Sequence, residues 1–548
     1  MKLILKYILI LLSTCIATYF AFIQLGKPLI GIDDANIFFI YARNLANGNG
    51  FVYQPGGVRV EGFSSLLWVL ICSAGYLVSE KPEILLIIFN LILTSFTVFR
   101  FINFVDKKFG KDRFITIEGG IALLLIFTNP VFVSWTILSL METGIWTFLL
   151  VNSLILMIEV IESNKVSSLI FFSSTLFLMI PCRPESLLIA AVMIFLLILG
   201  LKINSKKIFP IVLLPVSFYL ISIIILYSFR LSYFGFIFPN TYYAKVSPDL
   251  LYGISEGIKY FIKYFLSNNV VFIALSGIIY YFYSNFRKND SADYIRNEIS
   301  YGLINVVICT VIIIPILWGG DVFVDFRFYQ PILPFLFFPL IYLIKKLTIY
   351  YNLNEKLTVS GKILILIFFS LYFYTGAQIK YHQRSITSEQ QYKIAEENRK
   401  YGNDLNEFFK NSKLPRIGTI PAGALAYTYK GTIIDLLGLN NIEMAHSHDS
   451  HKGLKSHASF NKEVFYEQSP DFILAGFVSD TLELYRSVDF NNNYDLNKVV
   501  LKGILNDDIF KEKYQPALIS KDKSVLFAYY RKDYLNTLQN EGFLIKTR

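Results

Sequence analysis

The sequence predicts a polytopic α-helical membrane protein with a soluble α/β domain at its C-terminal end. Three observations carry that prediction. Apolar runs of ~17–25 residues, the length needed to cross a bilayer, recur down the first two thirds of the chain. The 548 residues are 54% hydrophobic and 16% aromatic, which fits no soluble globular class. From about residue 380 the long apolar runs stop and charged residues become common.

Candidate spans fall at 4–25, 83–102, 115–133, 143–161, 167–181, 184–200, 208–228, 268–285, 299–318, 329–345 and 361–378, about 11 in all. The first is too long, and lacks the small-residue cleavage site, to be a removable signal, so it reads as an anchor. The stretch Phe63–Ser79 is also apolar, but charge argues against counting it. The linkers carrying Lys107-Lys108, Lys202 with Lys206-Lys207, Arg287-Lys288 and Lys345-Lys346 are short and basic, and the positive-inside rule places them in the cytoplasm. That requires an odd number of crossings between Asp34 and Asp106, so 63–79 is expected to lie along the outer surface. The N-terminus is then inside and the C-terminus outside. The same linkers account for much of the net charge of +10, so it does not call for nucleic acid. Cys15, Cys72, Cys182 and Cys309 lie in or beside apolar runs and form no CxxC pattern or disulfide framework.

The predicted organisation is a membrane module over 1–379, with an outer loop at 27–82, and an extracytoplasmic α/β domain over 380–548. In the latter, 385–413 reads as an exposed helix. Arg416–Ile420, Thr432–Leu436, Phe472–Ala475 and Val525–Tyr530 read as short strands. About 165 residues suffice to bury a separate core.

With this topology the unusual polar motifs collect on one side of the membrane. Asp33-Asp34 opens the first outer loop. Asp33 can cap a helix starting near Ala35; alternatively, a carboxylate in a partly dry cleft can act as general base, with its neighbour tuning it or helping to hold a divalent cation. Of the two, Asp33 lies nearer the span and is the expected base. Arg43, Arg183, Lys245 and Arg327 read either as partners of lipid headgroups and nearby acids or as one site for a lipid-linked phosphate, which guanidinium forks suit. Arg59, Glu61, Glu142, Glu185, Asn240, Tyr242, Tyr243 and Asp321 are candidate substrate-binding residues of the same face. The tyrosines also fit an interfacial aromatic belt. His446, His448, His451 and His457 match no zinc spacing, and His451 is taken as a loop residue near the cleft. Gly423 and Gly438 lack a GxGxxG arrangement, so no soluble nucleotide-sugar donor is indicated.

Taken in order, these motifs resemble the GT-C class of membrane glycosyltransferases. Within it they resemble the bacterial family that includes the mycobacterial terminal arabinofuranosyltransferase. The resemblance runs through Asp33-Asp34-Ala35, Tyr41–Ala46, Asn49–Tyr53, Pro55–Trp68, Met141-Glu142-Thr143 and Arg183-Pro184-Glu185. It continues through Pro239–Val246, Gly319-Gly320-Asp321 with Arg327-Phe328, Ile434–Asn440 and Pro470–Leu474. Cys182 departs from the small polar residue such families often carry. The resemblance implies a sugar on polyprenyl phosphate as donor, with inverting transfer to a glycan, lipid or protein acceptor at the outer face of the plasma (inner) membrane. It implies no nucleotide. A flippase, polymerase or ligase of lipid-linked glycans is the alternative. A transporter should be polar at mid-membrane depth, whereas these spans are apolar there.

Overall fold

The structure is a computed structural model, and it describes residues 1–548 except 110–113, 164, 248, 268, 288–291, 322, 324, 351–388, 448–457, 479–495, 522–523 and 548. Ten of the eleven expected spans fall on helices; the eleventh, 361–378, lies outside the described residues. Among the described residues six helices are long and apolar enough to cross a membrane: Lys2–Gln24, Glu83–Phe109, Thr143–Ser163, Ser186–Ile203, Phe209–Tyr233 and the Glu298–Leu317 part of Ala292–Leu317. The others are shorter, broken or less apolar.

The span expected at 115–133 is broken into Ile117–Phe127 and Pro130–Leu138, which meet at 69°. The cause is local. Pro130 has no N–H to continue the first helix, and the Asn129 side chain accepts the Phe132 N–H to start a second one. Val166–Met179 has only 14 residues and Leu66–Tyr76 only 11. At 1.5 Å per residue, Leu66–Tyr76 reaches roughly half of a ~30 Å hydrocarbon layer. That helix is too short to cross such a layer by itself. Its cap, Ser65, accepts from Trp68 N, and the Trp68 indole donates to the Leu140 carbonyl at 2.9 Å.

One end of the bundle is fixed by Lys6, which forms a buried ion pair with Asp106. Helices Lys2–Gln24 and Glu83–Phe109 therefore run antiparallel, and Asp33 and Glu83 lie at the opposite end. The C-terminal domain sits on that opposite end.

Its sheet has six strands: β1 Ile417–Thr419, β2 Ile433–Asp435, β3 Phe472–Val478, β4 Tyr514–Lys521, β5 Ser524–Arg531 and β6 Leu544–Thr547. The order is β2-β1-β3-β5-β4-β6. β1 is parallel to β2 and β3, and the remaining pairs are antiparallel. All four expected strands are present. β4 and β6 escaped the sequence reading: Pro516 inside β4 counts against a strand, and β6 is a mostly exposed edge. Among the described residues β6 pairs with 517–520 of β4.

The alternation of β3 divides two cores. Phe472 joins Leu405 of helix 389–408, and Phe409 just past its end, in a core continuous with the membrane helices. Ile473 faces Phe460, Phe465 and Phe510 on the other side.

Helix Asp33–Ala46 and the loop after it form the seam between the two modules. Arg399 donates to Asn36 and Glu83 at 2.7 and 2.6 Å and stacks 4.1 Å over the Tyr427 ring. Tyr53 donates to the Ala422 carbonyl and Gln54 to that of Ile433. The Tyr41 hydroxyl accepts from Gly62 N and donates to Asn440 Oδ1, both at 3.1 Å. A Cβ on Gly62 would lie 1.9 Å from Asn440 Oδ1 and 2.7 Å from the Tyr41 hydroxyl, so the Asn440 side chain, which is bonded to both Asp435 and Tyr41, would have to move. Gly62→Ala is therefore expected to lower the melting temperature in detergent by several degrees, of the order that ~1–3 kcal/mol of overpacking produces. An unchanged melting curve would show that the seam is looser than described.

Candidate active site

The cavity at this seam holds about 230 Å³. Its polar lining is Asp34, Ser64, Arg183, Glu185, Arg230, Thr241, Tyr242, Lys245 and Arg327. Its apolar walls include Phe38, Phe63, Phe238, Trp318, Phe328 and Leu439. Residues from eight separate stretches of the membrane module and one loop of the C-terminal domain thus meet at one place. Three of the four cations expected to form a phosphate site, Arg183, Lys245 and Arg327, line it.

Arg43 does not. Its guanidinium donates to the Tyr427 carbonyl at 3.0 Å and stacks on that ring at 4.5 Å, so it belongs to the contact with the C-terminal domain. Arg43 lies about two and a half turns past Asp34 on helix Asp33–Ala46, on the opposite side of the helix, and so faces the seam rather than the cavity. Arg59 likewise lies over Tyr233 at 4.5 Å and is not part of the lining.

The two aspartates diverge because consecutive helical residues point about 100° apart. Asp33 was the expected base, but its carboxylate turns toward the C-terminal domain. There it accepts the N–H groups of Gly423 and Ala424 at 3.1 and 2.9 Å. Asp34 is the one that lines the cavity, with Lys245 Nζ 3.9 Å from its Oδ2.

Burial pushes the Asp33 carboxyl up to about 6, against the pull of the two N–H donors and with the Asp34 charge adding to the rise. Its folded value thus exceeds the ordinary aspartate value of 3.8. The stability this supplies is fully present below 3.8 and is lost as pH rises through about 6. Heat denaturation should show the wild type losing stability relative to Asp33→Asn between about pH 4 and about pH 6, with half the loss reached at about pH 5. A difference that stays flat with pH would count against this placement of Asp33.

The remaining acids hold the cations. Arg183 is buried between Glu142 and Glu185, paired with both. Arg327 donates from Nε to Asp321 at 2.8 Å and stacks on Phe323 and Phe328. Glu61 accepts a bidentate pair from Arg230 at 2.9 to 3.1 Å, and burial pushes its carboxyl up to about 7 against that pull. Glu142 and Asp321 therefore act behind the lining rather than in it.

Asn240 ties the roof down. Its Nδ2 donates to the Gly438 and Leu439 carbonyls at 2.7 and 3.0 Å, and its own N–H donates to the Glu61 carbonyl. The loop it holds is ordered from inside by Asp435, which accepts from Leu437 N, Asn440 N and Asn440 Nδ2. Tyr242 lines the cavity, whereas Tyr243 packs on the His446 ring at 4.1 Å. His451 lies outside the described residues.

The sequence reading missed Arg230, although it is the lone charge in Phe209–Tyr233 and an unpaired charge there would be costly. It also missed Trp318, which carries no polar signal, and it held Phe328 only as part of the Arg327-Phe328 motif, with no place in the lining. Among the described residues no group of three or more His, Cys, Asp or Glu is arranged to hold a metal ion. One oxygen each of Glu142 and Glu185 is buried without a hydrogen-bond partner.

Comparison with known proteins gives the fold. Residues 381–527 match a family described as a domain of unknown function, DUF8728. No curated protein matches. Among solved structures, the chain is similar to ArnT from Cupriavidus metallidurans bound to undecaprenyl phosphate. The identity is 10%, the TM-score is 0.52, and the match covers 94% of this chain and 97% of that one. It is also similar to the archaeal oligosaccharyltransferase AglB from Archaeoglobus fulgidus, in complex with an inhibitory peptide and a dolichol-phosphate. There the identity is 13%, the TM-score 0.50, and the coverage 96% and 74%. The chain thus shares the fold of these two structures: a polytopic helical membrane protein with a soluble C-terminal domain.

Proposed function

We propose that this protein is an inverting glycosyltransferase of the GT-C type. It takes a sugar from a polyprenyl-phosphate donor and transfers it to a hydroxyl of a cell-envelope glycan, glycolipid or protein. The reaction occurs at the outer face of the plasma (inner) membrane, where the C-terminal domain lies. The observation that carries the reading is one cavity in which Asp34 faces Arg183, Lys245 and Arg327 between aromatic walls. The undecaprenyl phosphate of ArnT and the dolichol-phosphate of AglB support a polyprenyl phosphate as the ligand.

In this reading Asp34 accepts the proton of the acceptor hydroxyl. The oxygen attacks the anomeric carbon from the face opposite the phosphate, and the carbon–phosphate oxygen bond breaks. The electron pair leaves on the phosphate, which the three cations hold as charge develops. The four lining cations face five carboxylates (Asp34, Glu61, Glu142, Glu185 and Asp321), so phosphate is held by directed N–H donors more than by net field. A divalent cation beside Asp34 remains compatible with this balance. The resemblance of the motifs makes a pentofuranose such as arabinofuranose the first sugar to assay.

The test is to incubate purified protein with a panel of polyprenyl-phosphate sugars, with and without chelator, and follow loss of donor and release of polyprenyl phosphate. Lys245→Ala should weaken donor use about tenfold or more, as expected for a lost charge-assisted contact of ~1.5–3 kcal/mol. No donor loss with any lipid sugar, or loss indifferent to Lys245, would overturn the reading.

A further inference from the structure

A second cavity, of about 520 Å³, lies wholly within the C-terminal domain. It sits between helix 389–408 and the carboxyl ends of β1 and β3. From β1 the chain crosses to β2 on one side, and from β2 it crosses back to β3 on the other. The gap between β1 and β3 is therefore the point where the connections reverse, the place where parallel sheets commonly open a crevice for a ligand.

The lining chemistry is unusual for a helix lying on its own sheet. Glu397, Lys400, Tyr401 and Asp404, at i, i+3, i+4 and i+7, form one face, and that face fronts the cavity. A helix packed only for stability would turn apolar residues there. Opposite are Thr419 and the flatter surface of Leu474–Phe477, with the Phe477 ring 5.6 Å from that of Tyr401. Exposed carboxylates with an amide and a hydroxyl, beside aromatic and apolar surface, suit a neutral ligand rich in hydroxyl groups. Two acids against one lysine disfavour a phosphate, and no glycine-rich loop is present.

The cavity also leads to the catalytic seam. Asn398, which lines it, hydrogen-bonds to Asp33. The β1 exit loop, Pro421–Ala424, passes from the cavity to the N–H groups that Asp33 accepts. All the lining residues, 397–496, fall within the segment matched as a domain of unknown function. We infer that this crevice binds a stretch of oligosaccharide, the distal sugars of a glycan acceptor whose end reaches Asp34. The inference rests on the transferase reading.

Gly476 provides a clean test, because a Cβ there would meet nothing within 4 Å. A tryptophan at 476 should fill the crevice and leave the membrane module untouched. Full-length protein in nanodiscs would be titrated with envelope-derived hexa- to decasaccharides and followed by saturation-transfer NMR. The wild type should bind, and Gly476→Trp and Asp404→Asn should each weaken binding about tenfold or more, with donor loss to water as the control for an intact catalytic site. Absence of binding by the wild type, binding indifferent to both variants, or preferential binding of a nucleoside diphosphate would overturn the inference. Absence of donor turnover by the wild type would instead sink the transferase reading, since that readout needs no acceptor.

Discussion

Asp34→Asn is expected to cut donor turnover by about 10²–10⁴, the usual contribution of a general base, with little change in melting temperature. The geometry separates it from its neighbour. The Asp34 carboxylate lines the cavity, and its nearest cation, Lys245, is 3.9 Å away. The other cavity acid, Glu185, is already held by Arg183. Asn at 34 keeps the size and polarity of the side chain but cannot take a proton.

Asp33→Asn should behave differently. The carboxylate that accepts two N–H groups would become an amide with a single acceptor oxygen, so the loss falls on docking of the C-terminal domain. Turnover per folded molecule should drop far less than for Asp34→Asn. Parallel measurement of donor loss and heat denaturation on both variants decides the matter. If Asp34→Asn keeps near-normal turnover, the proton goes elsewhere and the mechanism proposed for this cavity is wrong.

Much of this site was legible in the sequence because charge in or beside an apolar span is costly and therefore conspicuous. Arg183-Pro184-Glu185, Lys245 and Arg327 stand out in that way, and all of them line the cavity. Which of two adjacent aspartates faces inward was not legible. That depends on the rotation of helix Asp33–Ala46, which is set by the distant clamp of Arg399 on Asn36 and Glu83. Arg43 was misjudged for the same reason: its side of the membrane could be inferred, its direction could not. The crevice in the C-terminal domain gave no signal, because Glu397, Lys400 and Asp404 read as an ordinary solvated helix face until the sheet is placed across from them. The bend at Pro130 was visible as a proline, but not as a division of one expected span into two short helices.

The buried pair between Glu61 and Arg230 should give the largest stability effect. Their side chains are 3% and 6% exposed, and the pairing is bidentate. Arg230→Met would leave the Glu61 carboxylate buried without its partner, a loss of about 3–5 kcal/mol for a pair of this kind. The Glu61 carboxyl, already pushed up to about 7, would then bind a proton more readily, so the penalty should shrink as pH falls. Because the Glu61 carbonyl also accepts the Asn240 N–H, the damage should spread to the loop that roofs the cavity. The double variant Glu61→Leu with Arg230→Met removes both charges and replaces them with apolar volume. Such replacements are often neutral or stabilising, so the double variant should melt close to the wild type although the single variant does not. It should also recover turnover to within about tenfold, if Arg230 serves the site by holding Glu61 and the loop behind it. Recovery of melting without recovery of turnover would move Arg230 into contact with the donor phosphate, and failure of both would show that this pair is not the fixed point described here.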